Sequence, residues 1–381
     1  MSWLEWAAAE TDNLRALERE RSLREFDTAG PTGRLEGRPV VSFASNDYLG
    51  LSRHPEVIGA AQEAAGRWGA GAGSARLIVG SRPVHAALES ALAGWKGSEA
   101  ALLFSSGYTA NLGALTTFGG PTVLRSRRGG PADTTIFSDE RNHASIVDGC
   151  RLARSEVVVY PHRDLEALDE RLSRCARPIV VSDTVFSMDG DVAPVEALVE
   201  LCMRRGALLI LDEAHAVLGP PLRPPPDAAV LRVGTLSKFL GAAGGFVAGP
   251  RALVDLLINR ARSFIFTTAG SPADAAAALA ALKVLNGPEG ASLVRRLRSL
   301  VETVAPGHPS PIIPIVLGED GRALNASRAL LERGLFVPAI RPPSVAPGTA
   351  RLRVTLSAAH TDEQIAELTV ALDRIKERVL A

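Results

Sequence analysis

The sequence predicts an α/β protein: a mainly parallel central sheet with helices on both faces, followed by a small α+β C-terminal domain. Three observations carry this. From about residue 98, strand-length apolar runs alternate with helical patterns, in the order EAALLFSS, TTIFSD, EVVVY, PIVVSD, ALLILD, VLRVGT and GFVAG. The runs are continuous rather than alternating, as in parallel strands buried on both faces. An Ala-rich helix then gives way to IIPIVL, LFVPAI and the alternating RLRVTLS, enough strand for a second unit. A chain of 381 residues has room for both cores at ~150 residues per domain.

Taken in order, residues 2 to about 25 show Trp3, Trp6, Leu14 and Leu17 near helical spacing, and the breaker stretch DTAGPTGRLEGRP follows. Residues 1–44 therefore read as an N-terminal helix and arm, 45–287 as the large domain and 288–381 as the small one. The Ala-rich helix has Ser271 as cap, Pro272 at its first position and Asn286-Gly287-Pro288 as its stop. Thr361 and Gln364 form a capping box for a terminal amphipathic helix. The stretch GPPLRPPPDAA (219–229) is a stiff Pro-rich loop.

Composition narrows the function. Lys plus Arg and Asp plus Glu both total 42, so no basic field draws in nucleic acid or anionic lipid. No run reaches ~18 uninterrupted apolar residues, and the charged N-terminus lacks a signal peptide's apolar core, so a cytoplasmic, unanchored protein is expected. Cys150, Cys175 and Cys202 are widely spaced and encode neither a disulfide framework nor a zinc site. Lysine occurs only at 96, 238, 283 and 376, which leaves four candidates for any amine chemistry.

The cluster GAGAGSAR (69–76) has Ser74 where a dinucleotide fingerprint needs its third glycine, and it follows a helical pattern rather than a strand. A P-loop is excluded because the chain has no Gly-Lys dipeptide. Three other segments end strands in polar residues, where open α/β sheets border their ligand crevice: Asp183 and Ser187, then Asp212 and His215, then Thr235, Ser237 and Lys238. Singly, such residues are ordinary turn, cap or solvated positions. Together with GAAGGF (241–246) they are the parts of a pyridoxal 5'-phosphate site. A lysine binds the aldehyde, an acid keeps the pyridine nitrogen protonated, and a helix N-terminus takes the phosphate. FSSGYTANLGAL (104–115) supplies that terminus through the amides of Gly107 and Tyr108. Of the lysines, Lys238 alone lies among strand-end loops. His143, just past TTIFSD, reads either as a ring-stacking residue or as a helix cap.

SNDYLGLSRHPEV (45–57), LFSSGYTANLGA, NHASIVDG, VFSMDGD, LDEAH and GTLSKFLGAAGG occur, over nearly the whole chain, in the order of a known family. The chain resembles the α-oxoamine synthases, acyltransferases among the fold-type I pyridoxal phosphate enzymes. The resemblance implies that Lys238 holds the cofactor and serves as acid and base, with Asp212 at the pyridine nitrogen. It places His215 and Ser187 on the phenolic-oxygen side of the ring and His143 against its face. Gly107, Tyr108 and Thr235 would bind phosphate. Arg341 would hold the amino-acid carboxylate, with Asn46, Ser344 and, more loosely matched, Arg24 on the substrate side.

SFIFTTAGSP (263–272) resembles the segment that reaches a partner's phosphate, which implies a homodimer with Thr267 or Thr268 acting in trans. AIRPPSVAPGTARLRVTLSAAHT (339–361) is most similar to the members that join L-alanine to a pimeloyl thioester, carried by coenzyme A or acyl carrier protein, in biotin synthesis. Members that use glycine with a short acyl-CoA, and an inactive relative kept as a binding protein, remain alternatives. The chain departs from the family pattern at Asp183, often Glu, at Ala216, usually Gly, at Ser344, commonly Thr, in the Pro-rich loop, and in an apparent extension at 125–135.

Overall fold

The computed structural model of the chain describes residues 1–17, 19–28, 30–120 and 134–380. The extension read at 125–135 lies, up to residue 133, outside the described residues. Helix α1 (Trp3–Ala16) opens on a capping box between Ser2 and Glu5 and stops at Leu17, short of the expected residue 25. None of its residues is buried, so no packed face prolongs it beyond its own caps. Strands β1 (Phe26–Thr28), β2 (Thr32–Leu35) and β3 (Arg38–Ser42) form an antiparallel ribbon. Helices α2 (Pro55–Trp68) and α3 (Pro83–Lys96) follow.

The central sheet comprises β4 (Ala100–Phe104), β5 (Thr134–Asp139), β6 (Glu156–Tyr160), β7 (Arg177–Asp183), β8 (Leu208–Asp212), β9 (Val230–Thr235) and β10 (Gly245–Gly249), in spatial order β4-β10-β9-β8-β7-β5-β6. All neighbours run parallel except β10, which is antiparallel to both β4 and β9. Among the described residues, five helices connect these strands or follow directly on them: α4 (Gly107–Gly119), α5 (Ala144–Ala153), α6 (Leu165–Leu172), α7 (Val195–Arg205) and α8 (Arg251–Arg260).

Strand alternation explains the continuous apolar runs of β4, β5 and β7 to β10, whose two faces are covered, whereas the edge strand β6, read as the same kind of run, leaves Val157 and Val159 exposed. Ile179, Val181, Ile210 and Val233 pack with Ala114, Ile146 and Leu257 from α4, α5 and α8. Val180, Leu209 and Leu211 point the other way, against Leu168 and Leu198 of α6 and α7.

After the short α9 (Arg262–Ile265), α10 (Pro272–Leu285) begins and ends where the sequence placed it. Its alanine face shares one core with Val57 of α2 and Leu88 of α3. That core runs on through α11 (Pro288–Val304), β11 (Ile312–Gly318), α12 (Asp320–Glu332), β12 (Leu335–Phe336), β13 (Ala339–Ile340), β14 (Ala350–Thr355) and α13 (Asp362–Leu380). The capping box of Thr361 and Gln364 starts α13. The N-terminal ribbon joins this unit, since β3 pairs in parallel with β12. Among the described residues no helix is long and apolar enough to cross a membrane.

Candidate active site

The polar residues gather where β7, β8 and β9 end. Asp183 and Asp212 lie in register across β7 and β8, and the alternation that buries the residues before them delivers both to one side. Lys238 follows β9 in a turn closed by its own carbonyl, which accepts from Gly241 N–H. Burial holds the Lys238 amine below the ordinary lysine range. Asp212 and Asp183 oppose that shift, and Arg353 adds to it. An amine so placed loses its proton readily and becomes a nucleophile or base. Lys96 is instead buried in an ion pair with Glu213, and Lys283 is exposed on α10.

The Asp212 carboxylate accepts from Ala214 N–H at 2.9 Å and from the Asn111 amide at 2.7 Å. Asn111 Nδ2 also donates to Ser145 Oγ at 2.9 Å, and Ser145 Oγ lies 2.7 Å from His143 Nδ1. His143 caps α5, and its backbone N–H donates to Asp183 Oδ2 at 2.7 Å. Burial lowers the His143 pKa, with Lys238 adding to the shift while Asp212 and Asp148 oppose it. Burial, reinforced by Asp212, raises Asp183 well above the usual carboxylate range.

A second cluster forms around His215. Its Nδ1 lies 2.5 Å from the Tyr48 hydroxyl, and burial, with Lys238 and Arg353 nearby, holds the imidazole well below its usual pKa and so neutral. Tyr48 also bonds Asn46 Oδ1 at 3.2 Å. Arg353 donates to Asn46 Oδ1 at 3.3 Å and to the Ser187 carbonyl at 2.6 Å.

An anion cradle sits beside these groups. Ser106 caps α4 by accepting from Thr109 N–H, and the first-turn amides at Gly107 and Tyr108 lie where a helix dipole favours negative charge. A Cβ on Gly107 would come within 3.3 Å of Thr235 Cβ, so a side chain there would narrow the space between helix start and strand end. The Thr235 hydroxyl is held by Ser237 Oγ at 2.7 Å. Thr267 and Thr268 line a pocket with Ser105, Leu236 and Gly244, beside the same helix start. A half-buried lysine, an acid in register with another acid, two neutral imidazoles and a cradle that a Cβ would narrow suit the pyridoxal phosphate group.

Other expected residues lie elsewhere. The exposed Arg24 pairs with Glu36 at 2.8 Å. Arg341 and Ser344 line a groove with Thr11, Leu14 and residues 19–21. Conversely, Tyr48, Asn111, Ser145 and Arg353 enter the site without having been singled out in the sequence. Their signal was present, since each falls inside a quoted motif, but a motif does not show which members face inward.

Comparison with known proteins gives the family. Residues 38–372 match the aminotransferase class I and II family. An 8-amino-7-oxononanoate synthase of Anaeromyxobacter dehalogenans strain 2CP-1 is 48% identical, covering 97% of this chain and 95% of the relative. A serine palmitoyltransferase from S. paucimobilis, solved with a bound pyridoxal phosphate–myriocin conjugate, superposes with TM-score 0.88 at 28% identity, covering 100% of this chain and 99% of that one. An 8-amino-7-oxononanoate synthase from Francisella tularensis gives TM-score 0.73 at 26% identity, covering 89% and 98%. Backbone similarity thus spans sibling activities, and the narrower assignment rests on the 48% identical relative. The chain belongs to the class I and II aminotransferase family and, at this identity and coverage, to the 8-amino-7-oxononanoate synthases within it.

Proposed function

We propose that the chain is a cytoplasmic, homodimeric acyltransferase that condenses L-alanine with a pimeloyl thioester, releasing carbon dioxide and the thiol carrier. The carrying observation is the match, over nearly the full length, to 8-amino-7-oxononanoate synthases in a chain whose Lys238 and His143 act electrostatically on one another beside the buried Asp212. The α4 N-terminus and Asp212 would hold pyridoxal phosphate, which when bound would supply an electron sink for chemistry at the amino acid's α-carbon.

Lys238 removes the α-proton, a role its depressed pKa suits. Asp212, acceptor-only and fixed by Ala214 and Asn111, holds a proton on the ring nitrogen. His215 presents a neutral imidazole anchored on Tyr48 to the site. Arg353 and Arg341 are the candidate cations for the carboxylate. Arg353 is the one whose charge acts on Lys238, and three of its five N–H groups are engaged by Ser187, Thr355 and Asn46. Thr267 or Thr268 serves the partner's phosphate in the dimer.

Product analysis by mass spectrometry tests the reading, using L-alanine or glycine against pimeloyl-CoA, a pimeloyl carrier protein and acetyl-CoA. Burying four methylenes at ~0.8 kcal/mol each gives ~3 kcal/mol, or about two orders of magnitude in kcat/KM for pimeloyl over acetyl. Equal or faster turnover of glycine with acetyl-CoA moves the chain to the sibling activity. Turnover of neither pair leaves the binding-protein alternative.

A further inference from the structure

One hydrogen-bonded chain runs from Asp212, the carboxylate assigned to the pyridine nitrogen, to His143, the imidazole assigned to the ring face. It passes through two residues that touch neither the lysine nor, on the reading above, the substrate. Direction is imposed at its start. The Asp212 carboxylate can only accept, so the side-chain amide of Asn111, completely buried, must turn Nδ2 toward Oδ2, because the opposite flip would set oxygen against oxygen. The second amide hydrogen then goes to Ser145 Oγ at 2.9 Å. With a lone pair so used, the Ser145 hydroxyl is free to donate onward to His143 Nδ1 at 2.7 Å.

A second, independent contact points the same way. The Ser145 backbone N–H, a donor with no alternative role, also aims at Nδ1, at 3.2 Å. Two donors converging on Nδ1 exclude a hydrogen there, so the neutral ring carries its proton on Nε2, on the side away from α5. Asp183 fixes the other end of the residue by accepting its backbone N–H.

We propose that Asn111 and Ser145 are positioning residues that relay the acceptor character of Asp212 to His143 and so lock its neutral imidazole as the Nε2–H tautomer. The site is thereby given one hydrogen-bond donor at a fixed place on the ring assigned to cover the cofactor. The proposal deepens the acyltransferase reading but does not depend on which thioester is used.

The test reads the tautomer directly. Protein labelled with 15N-histidine, with and without pyridoxal phosphate, is examined by long-range proton–nitrogen correlation, and His143 is identified by the resonances lost in His143→Asn. At a pH where the ring is neutral, wild type should show Nδ1 as the unprotonated nitrogen. Asn111→Leu and Ser145→Ala should each raise the Nδ1–H share at least threefold. The charged groups acting on the ring, Asp148, Asp212 and Lys238, with Asp183 at its backbone, remain in both variants. In the loaded protein kcat should fall about tenfold or more while cofactor affinity stays within threefold. The two variants back each other if one fails to fold.

A wild-type ring protonated on Nδ1, or an unchanged tautomer ratio in the folded variants, overturns the relay. A locked tautomer in a protein that turns over no thioester would overturn the activity instead, leaving the relay standing.

Discussion

Removing the charge of Glu213 should destabilise the protein severely at neutral pH and progressively less as the pH rises. Glu213 follows Asp212 directly, and strand alternation turns its side chain to the opposite side of the sheet. There its Oε2 lies 2.7 Å from Lys96 Nζ and its Oε1 2.7 Å from Arg232. The three side chains are only 3%, 8% and 7% exposed, so water cannot replace a lost partner. Breaking a buried pair typically costs about 3–5 kcal/mol. The lower part of that range applies to Glu213→Gln, because Arg232 keeps the Lys96 and Leu222 carbonyls as acceptors and the new amide oxygen can still accept from it.

Lys96 is the stranded group. Burial already lowers its pKa, and Glu213 is the main opposing influence. In the variant the folded state sheds that proton while the unfolded chain keeps it up to ~10.4. The unfolded state then binds more protons, so the deficit shrinks as pH rises, by at most ~1.4 kcal/mol per unit. Guanidinium titrations followed by circular dichroism at pH 7 and pH 9 measure this. Adding Lys96→Met should recover much of the loss, since an apolar replacement removes the orphaned charge. A Glu213→Gln variant within ~1 kcal/mol of wild type at pH 7, or one whose deficit is the same at both pH values, would refute the reasoning.

Three further outcomes are expected. Borohydride treatment of protein loaded with pyridoxal phosphate should fix the cofactor to the Lys238 peptide, and peptide mapping that finds it on Lys96, Lys283 or Lys376 contradicts the assignment. Gly245→Ala would put a Cβ 2.3 Å from the Ser106 carbonyl carbon and 2.4 Å from Gly107 N. It should weaken cofactor binding by about tenfold or more through displacement of the α4 start, whereas the exposed Gly66→Ala, with open space around it, should not. Burial alone would depress His162, but hydrogen bonds from its two ring nitrogens to Asp139 and Asp191 outweigh that and hold its pKa at about 9. Its stabilisation is complete below the unfolded value of ~6.5 and is lost as pH rises through the folded one. His162→Gln should therefore flatten the decline in guanidinium midpoint that wild type owes to this residue between those values, and an unchanged slope would count against the ion cluster.

The sequence by itself determined the periodic and local features. Continuous apolar runs identified the strands, and all but the edge strand β6 are covered on both faces. Ser271, Pro272 and Asn286 bounded α10 because caps and stops act within a few residues. The scarcity of lysine singled out Lys238, and the strand-to-helix turn at Gly107 and Tyr108 suggested an anion cradle. Tertiary structure alone decided what depends on pairing between distant segments. Nothing local says that β10 runs antiparallel between β4 and β9, that β3 pairs with β12, or that α1 buries none of its residues. The same holds within the site. Asn111, Ser145 and Asp212 lie far apart in the chain, and only the packing of α4 and α5 over the ends of β7 and β8 closes their hydrogen bonds. Arg353 reaches Asn46 and Ser187 only because β14 comes alongside the segments that follow β3 and β7. Sequence thus supplied the chemistry of the groups, while the fold supplied their distances, burial and direction of donation, on which their reactivity depends.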